Sequence, residues 1–159
     1  MSDYSDFDHF GLDPRLVEAV RAMGYTRPTP IQSKAIPIVL KGGDVMGAAQ
    51  TGTGKTAGFA LPILHRLLPR ASASMSPARH PVRALILVPT RELADQVGDN
   101  VRQYAAKTPL RTAVVFGGMA AGEASKLPPR ARCRLIRLAS WKFVVWTISI
   151  SVSIWAVCN

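Results

Sequence analysis

The sequence predicts an α/β fold in which helices flank a parallel β-sheet. Apolar runs typical of strands alternate with stretches of helical periodicity along residues 13–116, which is the order that builds parallel sheets. Glycines mark the ends of several of these runs, and 159 residues suffice for one domain of ordinary size. Apolar residues make up 48% and charged residues 19% of the chain, a balance that excludes a wholly disordered protein.

Each helix is predicted from apolar residues at helical spacing and from its end signals. The first pattern begins at Asp13 and stops before Gly24, and Thr29 followed by Pro30 is a typical helix start. These signals predict four helices, at residues 13–23, 29–41, 55–68 and 91–107.

Short apolar runs bounded by glycine, proline or charged residues indicate buried strands. They predict three strands, at residues 44–49, 83–89 and 111–116, joined by right-handed crossovers. Residues 69–81 are rich in proline, serine and alanine and have no periodicity, which indicates a surface loop.

The charge of the chain is basic and unevenly distributed. Twenty Lys and Arg residues against ten Asp and Glu give a net charge of +10, which favours polyanions such as nucleic acid as partners. No acid follows Glu123, whereas six basic residues do, so the composition changes near residue 120. The two cysteines, Cys133 and Cys158, exclude a disulfide scaffold or zinc module as the organising principle. The acidic start MSDYSDFDHF lacks the pattern of a secretory signal, so we expect a cytoplasmic protein.

The string AQTGTGKT lies where a predicted strand meets a predicted helix. Gly52 and Gly54 would let successive backbone amides point inward, and the helix N-terminus would add its positive dipole end. The loop would then form a concave anion-binding site. Lys55 would neutralise the β- and γ-phosphates, and the Thr56 hydroxyl would enter a magnesium shell. Ala49 departs from the strict pattern, which has glycine there. The alternative is a glycine-rich turn that only caps a helix.

Four motifs stand in a fixed order: GYTRPTPIQ (24–32), AQTGTGKT (49–56), PTRELA (89–94) and VFGG (115–118). Together they resemble the first RecA-like domain of the DEAD-box ATP-dependent RNA helicases, over about residues 5–119. The resemblance implies an incomplete RecA-like P-loop domain over residues 1–119, with its Q motif at 24–32, and a tail outside the family over 120–159. It also implies ATP and Mg²⁺ as cofactors and RNA as a partner.

The resemblance assigns roles to individual residues. Phe7 would stack on adenine and Gln32 would bond its edge, while Lys55 and Thr56 would be the catalytic residues of the loop. The implied nucleotide contacts are Phe7, Tyr25, Gln32, Ala49, Gln50, Thr51, Gly52, Thr53, Gly54, Lys55 and Thr56, with Thr56 as the metal ligand. The implied RNA-backbone contacts are Pro89, Thr90, Arg91, Gly117 and Gly118.

Simpler structural roles remain open for the same residues. Gln32 stands at the third helical position after Thr29, where its side chain can reach back to the Thr29 amide in a capping box. Phe7 can simply pack on the first helix. PTRELA can be a capped helix start with a solvated Arg91, and Gly117-Gly118 a plain turn.

The resemblance stops soon after Gly118. No TPGR, DEAD or SAT motif follows, and a second RecA-like domain is absent from the sequence, so we expect nucleotide binding with little turnover or unwinding. One hypothesis is that a reading-frame change or truncation replaced the family sequence. The alternatives are a non-enzymatic fragment that binds ATP or RNA, and a P-loop NTPase of another family.

The tail itself allows several interpretations. ISISVSI (148–154) alternates apolar and hydroxyl residues, which favours a half-buried strand, with a membrane anchor as the alternative. The basic residues before it either contact RNA or form a solvated linker. We expect exposed sheet edges that promote aggregation, but no obligate oligomer.

Overall fold

The computed structural model describes residues 6–48, 50, 52–71, 82–115, 144–145 and 153–158. The helices are α1 (Pro14–Ala22), α2 (Pro30–Leu40), α3 (Lys55–Leu67) and α4 (Arg91–Tyr104), and short 3-10 turns span Phe7–Phe10 and Leu68–Arg70. The strands are β1 (Val82–Val88), β2 (Arg111–Val115), β3 (Val144–Val145) and β4 (Ser153–Cys158). The four predicted helices are therefore confirmed to within a few residues of their predicted ends.

The chain forms two compact units, one of residues 1–69 with 103–108 and the other of residues 70–102 with 109–159. The regular secondary structure in the described part of the first unit is helical. Its helices start where the sequence places caps: the Asp13 carboxylate accepts a hydrogen bond of 3.0 Å from the Arg15 amide, and Pro14 and Pro30 occupy first helical positions. The Arg15 guanidinium beside Asp13 holds the pKa of that carboxyl below its ordinary value. The largest fully buried side chains of this unit are Phe7, Leu16, Val20, Gln32, Ile36, Leu61, Leu64 and Tyr104.

The predicted strand at 44–49 is wrong over its described part. Residues 44–48 form neither helix nor strand and lie exposed, with Met46 fully accessible to solvent. A strand exists only when a second strand pairs with it, and the described part of the first unit contains none. Apolar composition alone therefore did not decide the conformation of this segment. Ala49 lies outside the described residues.

The second unit contains a four-stranded sheet in the order β2-β4-β1-β3. β1 is parallel to β3, and β4 is antiparallel to both β1 and β2. The predicted α/β class is confirmed, and the sheet is mixed rather than parallel throughout because β4 is antiparallel to its neighbours. β1 and β2 do run in the same direction, but β4 lies between them. This strand from the tail makes backbone hydrogen bonds with β1 on one side and with β2 on the other. Ala84, Leu85 and Ile86 of β1 are almost completely buried, as a central strand requires.

Two further predictions fall partly outside the described residues. The tail strand predicted at 148–154 coincides with β4 at Ser153 and Ile154, and β4 continues to Cys158, whereas 148–152 lie outside. In the loop predicted at 69–81, Pro69 and Arg70 belong to a 3-10 turn, and 72–81 lie outside. Within the described parts of the chain, no helix has the length and apolar character needed to cross a bilayer.

Candidate nucleotide-binding site

The loop before α3 depends on two glycines with left-handed backbone conformation. Gly52 has φ +82° and Gly54 has φ +78°, and Gly54 is the N-cap of α3. Residues with a Cβ rarely adopt this conformation, so the local chain path requires glycine at both positions. A Cβ at Gly52 would meet no heavy atom of the described residues within 4 Å, so they leave that side of the loop open.

The loop is held by hydrogen bonds from the start of α2. The Thr29 Oγ1 hydroxyl donates to the Thr53 carbonyl over 2.9 Å, and Gln32 Nε2 donates to the Gly54 carbonyl over 3.0 Å. Within the loop, Thr53 Oγ1 donates to the Gln50 carbonyl over 2.8 Å. Two consecutive loop carbonyls are therefore fixed from outside the loop, which restricts the backbone directions of the residues that open α3.

Gln32 is completely buried and uses both ends of its side-chain amide. Oε1 accepts a hydrogen bond of 2.9 Å from the Thr29 amide, while Nε2 donates to Gly54. The capping interpretation of Gln32 is therefore confirmed. Its contact with an adenine stays a prediction. A bound adenine would have to hydrogen-bond to a side-chain amide that is already bonded to Thr29 and to Gly54.

Lys55 and Thr56 form the first turn of α3, and both are half-buried. The free backbone amides and positive dipole end of a helix N-terminus favour an anion at this position, and the Lys55 ammonium adds a full positive charge. Gly54 brings the chain into the helix without a side chain that would cover these amides. Ala49 and Thr51, the other predicted members of the site, lie outside the described residues.

The two aromatic residues predicted to contact nucleotide both pack against other rings. Phe7 is completely buried and meets Phe10 edge to face, with ring centroids 6.0 Å apart. Tyr25 meets Tyr104 in the same manner at 6.5 Å. Burial, together with the neighbouring Tyr25 hydroxyl, raises the pKa of Tyr104 above its ordinary value. Both rings thus pack against other aromatic side chains in this structure, and adenine contacts of Phe7 and Tyr25 stay predictions.

The PTRELA motif lies in the second unit at the carboxyl end of β1. Thr90 Oγ1 accepts a hydrogen bond of 3.2 Å from the Leu93 amide, so Thr90 caps α4, and Arg91 is exposed at the first helical position. This strand-to-helix turn was predicted, and the carboxyl end of a strand is the usual side for ligands in α/β sheets. RNA contacts of Pro89, Thr90 and Arg91 stay predictions. Gly117 and Gly118 lie outside the described residues.

Sequence reasoning missed the part played by Thr29. The sequence indicates its hydroxyl only as a helix cap, and in the structure the hydroxyl also donates to the Thr53 carbonyl. The Thr-Pro pair signalled the start of α2, but nothing in the sequence places that start against the loop.

Replacing Gln32 by leucine is expected to lower the free energy of unfolding by about 2–3 kcal/mol, because the Thr29 amide loses its buried acceptor and the Gly54 carbonyl keeps only its bond from the Gly58 amide. Urea denaturation followed by circular dichroism measures this change. Gln96→Leu makes the same chemical change at an exposed position of α4 and is expected to have little effect. Equal stabilities of the two variants would contradict the bridging role of Gln32.

Comparison with known proteins identifies the family to which the chain is related. The family model for DEAD/DEAH box helicases matches residues 29–140. The chain is 50% identical over 116 residues to the ATP-dependent RNA helicase SrmB of Escherichia coli, which covers 72% of this chain and 25% of that protein. It is 47% identical over 105 residues to the ATP-dependent RNA helicase dbp9 of Aspergillus clavatus, which covers 66% of this chain and 17% of that protein.

Solved structures agree with the sequence relatives. The RNA helicase Prp28 of Chaetomium thermophilum, bound to ADP, superposes with a TM-score of 0.69 and 31% identity, covering 89% of this chain and 37% of that one. A DEAD-box protein of Methanococcus jannaschii gives a TM-score of 0.67 and 30% identity over 91% of this chain and 35% of that one.

The fold is that of the RecA-like α/β class of P-loop proteins. The family match covers well over half of the residues, so the chain belongs to the DEAD/DEAH box helicase family. This membership excludes the alternative of a P-loop NTPase from another family. The chain spans a quarter or less of the length of these curated relatives. The predicted domain boundary at 119 stays a prediction, and the family match extends to residue 140.

Proposed function

We propose that residues 49–56 bind the phosphates of ATP and that the chain is the nucleotide-binding part of an ATP-dependent RNA helicase. The observation that carries this proposal is the loop fixed by Thr29 and Gln32, with left-handed glycines before the N-terminus of α3. The names of its relatives, and the ADP bound to the Prp28 structure, support the choice of an adenine nucleotide. We further propose residues 1–119 as the partial ATP-binding domain, with its Q motif at 24–32, and 120–159 as a separate tail.

The residues of the loop have distinct parts in this proposal. The amides that open α3 donate to phosphate oxygens, and the open space beside Gly52 admits them without a side chain in the way. The Lys55 ammonium binds the β- and γ-phosphates. The hydroxyl of Thr56, the next residue, would be a ligand of the metal ion. Mg²⁺, bound with the nucleotide, supplies further neutralisation of phosphate charge. The Gly54 carbonyl is turned away from the anion, because it accepts hydrogen bonds from Gln32 Nε2 and from the Gly58 amide.

RNA binding is proposed for Pro89, Thr90, Arg91, Gly117 and Gly118. Arg91 is exposed at the N-terminus of α4, where its positive charge and the helix dipole together suit a backbone phosphate. The net charge of +10 supports a polyanionic partner and favours a second candidate, an RNA-binding chain that does not depend on nucleotide. In either case we propose a cytoplasmic location.

Turnover by these 159 residues is proposed to be near background. Phosphoryl transfer relies on carboxylates that hold the metal and orient water, and on an arginine that stabilises the transition state. The sequence has neither a DEAD nor a SAT motif, and no Asp or Glu follows Glu123.

Calorimetric titration of the full chain with Mg-ATP, and separately with Mg-GTP, tests the proposal. We expect saturable binding of Mg-ATP and weaker binding of Mg-GTP. Filter binding of single-stranded RNA with and without Mg-ATP then separates the two candidates, because only a residual helicase cycle makes RNA affinity depend on nucleotide. Folded protein that gives no heat with Mg-ATP would overturn the site assignment, and RNA-stimulated hydrolysis above background would overturn the proposed inactivity.

A further inference from the structure

The tail strand β4 occupies an unusual place in the sheet. All six of its residues pair with β1, from Ser153 opposite Val88 to Cys158 opposite Val82, and residues 154–158 pair with β2 as well. β1 and β2 follow one another along the chain and run in the same direction, yet β4 separates them. Strands joined by a single helix usually neighbour one another, so β4 fills a slot between two strands that would otherwise be adjacent.

The slot between β1 and β2 has strand edges on both sides. Each edge presents backbone N–H and C=O groups that need partners, and only an extended segment can satisfy both rows at once. The segment that does so here comes from far along the chain: 37 residues separate Val115, the end of β2, from Ser153. A connection of that length reaches at most about 120 Å when extended, so it does not restrict β4 to its own slot.

We propose that the slot between β1 and β2 is a strand-binding site that accepts the Ser153–Cys158 strand of a second copy of this chain, which gives a strand-exchanged dimer. The incoming strand is identical in sequence to the one it replaces, so every backbone pair with β1 and β2 forms again in the same register. Exchange of an identical element adds no new contact and costs little beyond association.

Concentration and salt control this exchange. The tether gives the chain's own β4 an effective concentration on the order of millimolar, so the closed monomer dominates in dilute solution. Residues 116–152 carry six basic side chains and one acid, Glu123, and the dimer contains two such segments. Their repulsion is screened by salt, so the dimer fraction is expected to rise with ionic strength as well as with protein concentration.

The register supplies a direct test by disulfide formation. Cys158 lies directly opposite Arg111, whereas Thr112 lies opposite Val157. Residues directly opposite in an antiparallel pair have Cα atoms about 4.5–5.5 Å apart, within the range of a disulfide, while the next residue along the strand projects to the other face. Arg111 is exposed, so its replacement by cysteine leaves the buried core intact.

Two full-length chains are mixed, both with Cys133→Ser. One carries Arg111→Cys and Cys158→Ser, and the other keeps Cys158 alone, so the two cysteines become direct neighbours when the tail of one copy occupies the slot of the other. Mixtures from about 1 µM to about 1 mM, which span the effective concentration of a tether, are oxidised and separated on non-reducing gels. We expect linked heterodimers that increase with protein concentration and with salt, at least about tenfold more than with Thr112→Cys in place of Arg111→Cys.

A third chain with Cys133→Ser, Arg111→Cys and its native Cys158 is the reference for the closed monomer. If this chain links internally at high yield while the mixture never links, the slot is closed to other copies and the proposal is overturned. If neither links, β4 does not occupy the slot, which also overturns it. Equal linking by the Thr112→Cys mixture would indicate nonspecific aggregation and overturn it too. None of these readouts uses nucleotide, so the outcome does not depend on the proposed ATP site.

Discussion

The substitution Gly54→Ala is expected to destabilise the first unit by about 3 kcal/mol. The causes are backbone strain, since alanine must adopt a left-handed conformation, and the loss of buried hydrogen bonds. The backbone at Gly54 has φ +78°, which any residue with a Cβ adopts at a cost. The added Cβ would also lie far inside contact distance of Gln32 Nε2. Urea denaturation gives the stability change, and calorimetry with Mg-ATP is expected to show binding lost in the same variant.

The clash at Gly54 cannot be relieved cheaply. Gln32 is completely buried, and its amide is held at one end by the Thr29 amide and at the other by the Gly54 carbonyl. Any movement of Nε2 away from the new methyl group therefore breaks the bond to Gly54, and rotation of the whole amide also breaks the cap of α2.

Gly52→Ala is the matched control for this experiment. Gly52 has almost the same left-handed φ, +82°, but a Cβ there would meet no atom within 4 Å in the part of the chain that the structure describes. It is expected to cost only the backbone strain, about 1 kcal/mol. If Gly52→Ala proved as destabilising as Gly54→Ala, the contact between Gln32 and the loop would not be what constrains the position.

Local signals in the sequence predicted the helices and the loop well. Asp13-Pro14 and Thr29-Pro30 marked helix starts because capping depends on residues within one turn of each other. The same locality explains why one end of Gln32 was foreseen: its bond to Thr29 spans three residues. The bond of its other end to Gly54 spans 22 residues and arises only from tertiary packing, so no local pattern could show it.

Strand pairing was predicted less well for the same physical reason. Residues 44–48 and β4 are both apolar, yet only β4 pairs, because a strand is defined by the partner that the fold offers. The apolar runs at β1 and β2 predicted strands and their common direction. The insertion of β4 between them depends on a segment 37 residues farther along the chain and changes the sheet from parallel to mixed.

Lys55→Ala is expected to weaken Mg-ATP binding by about 30- to 100-fold, because a hydrogen bond to a charged group contributes about 2–3 kcal/mol. Lys55 is the first residue of α3, so its ammonium is the full positive charge closest along the chain to the helix N-terminus. The side chain is half-buried. Alanine is a good helix former, and the fold is therefore expected to survive the substitution. Calorimetric titration measures the affinity, and circular dichroism checks that the helices remain.

Lys41→Ala separates a specific role of Lys55 from a general loss of positive charge. Lys41 is an exposed lysine at the C-cap of α2, so its removal changes the net charge by the same amount. A diffuse attraction between the basic chain and the nucleotide would weaken equally in both variants and would fade with salt. Short-range bonding at the loop instead predicts a large loss for Lys55→Ala, little change for Lys41→Ala, and a difference between them that persists at high ionic strength. A Lys55→Ala protein that binds Mg-ATP as tightly as the parent would show that the phosphates lie elsewhere.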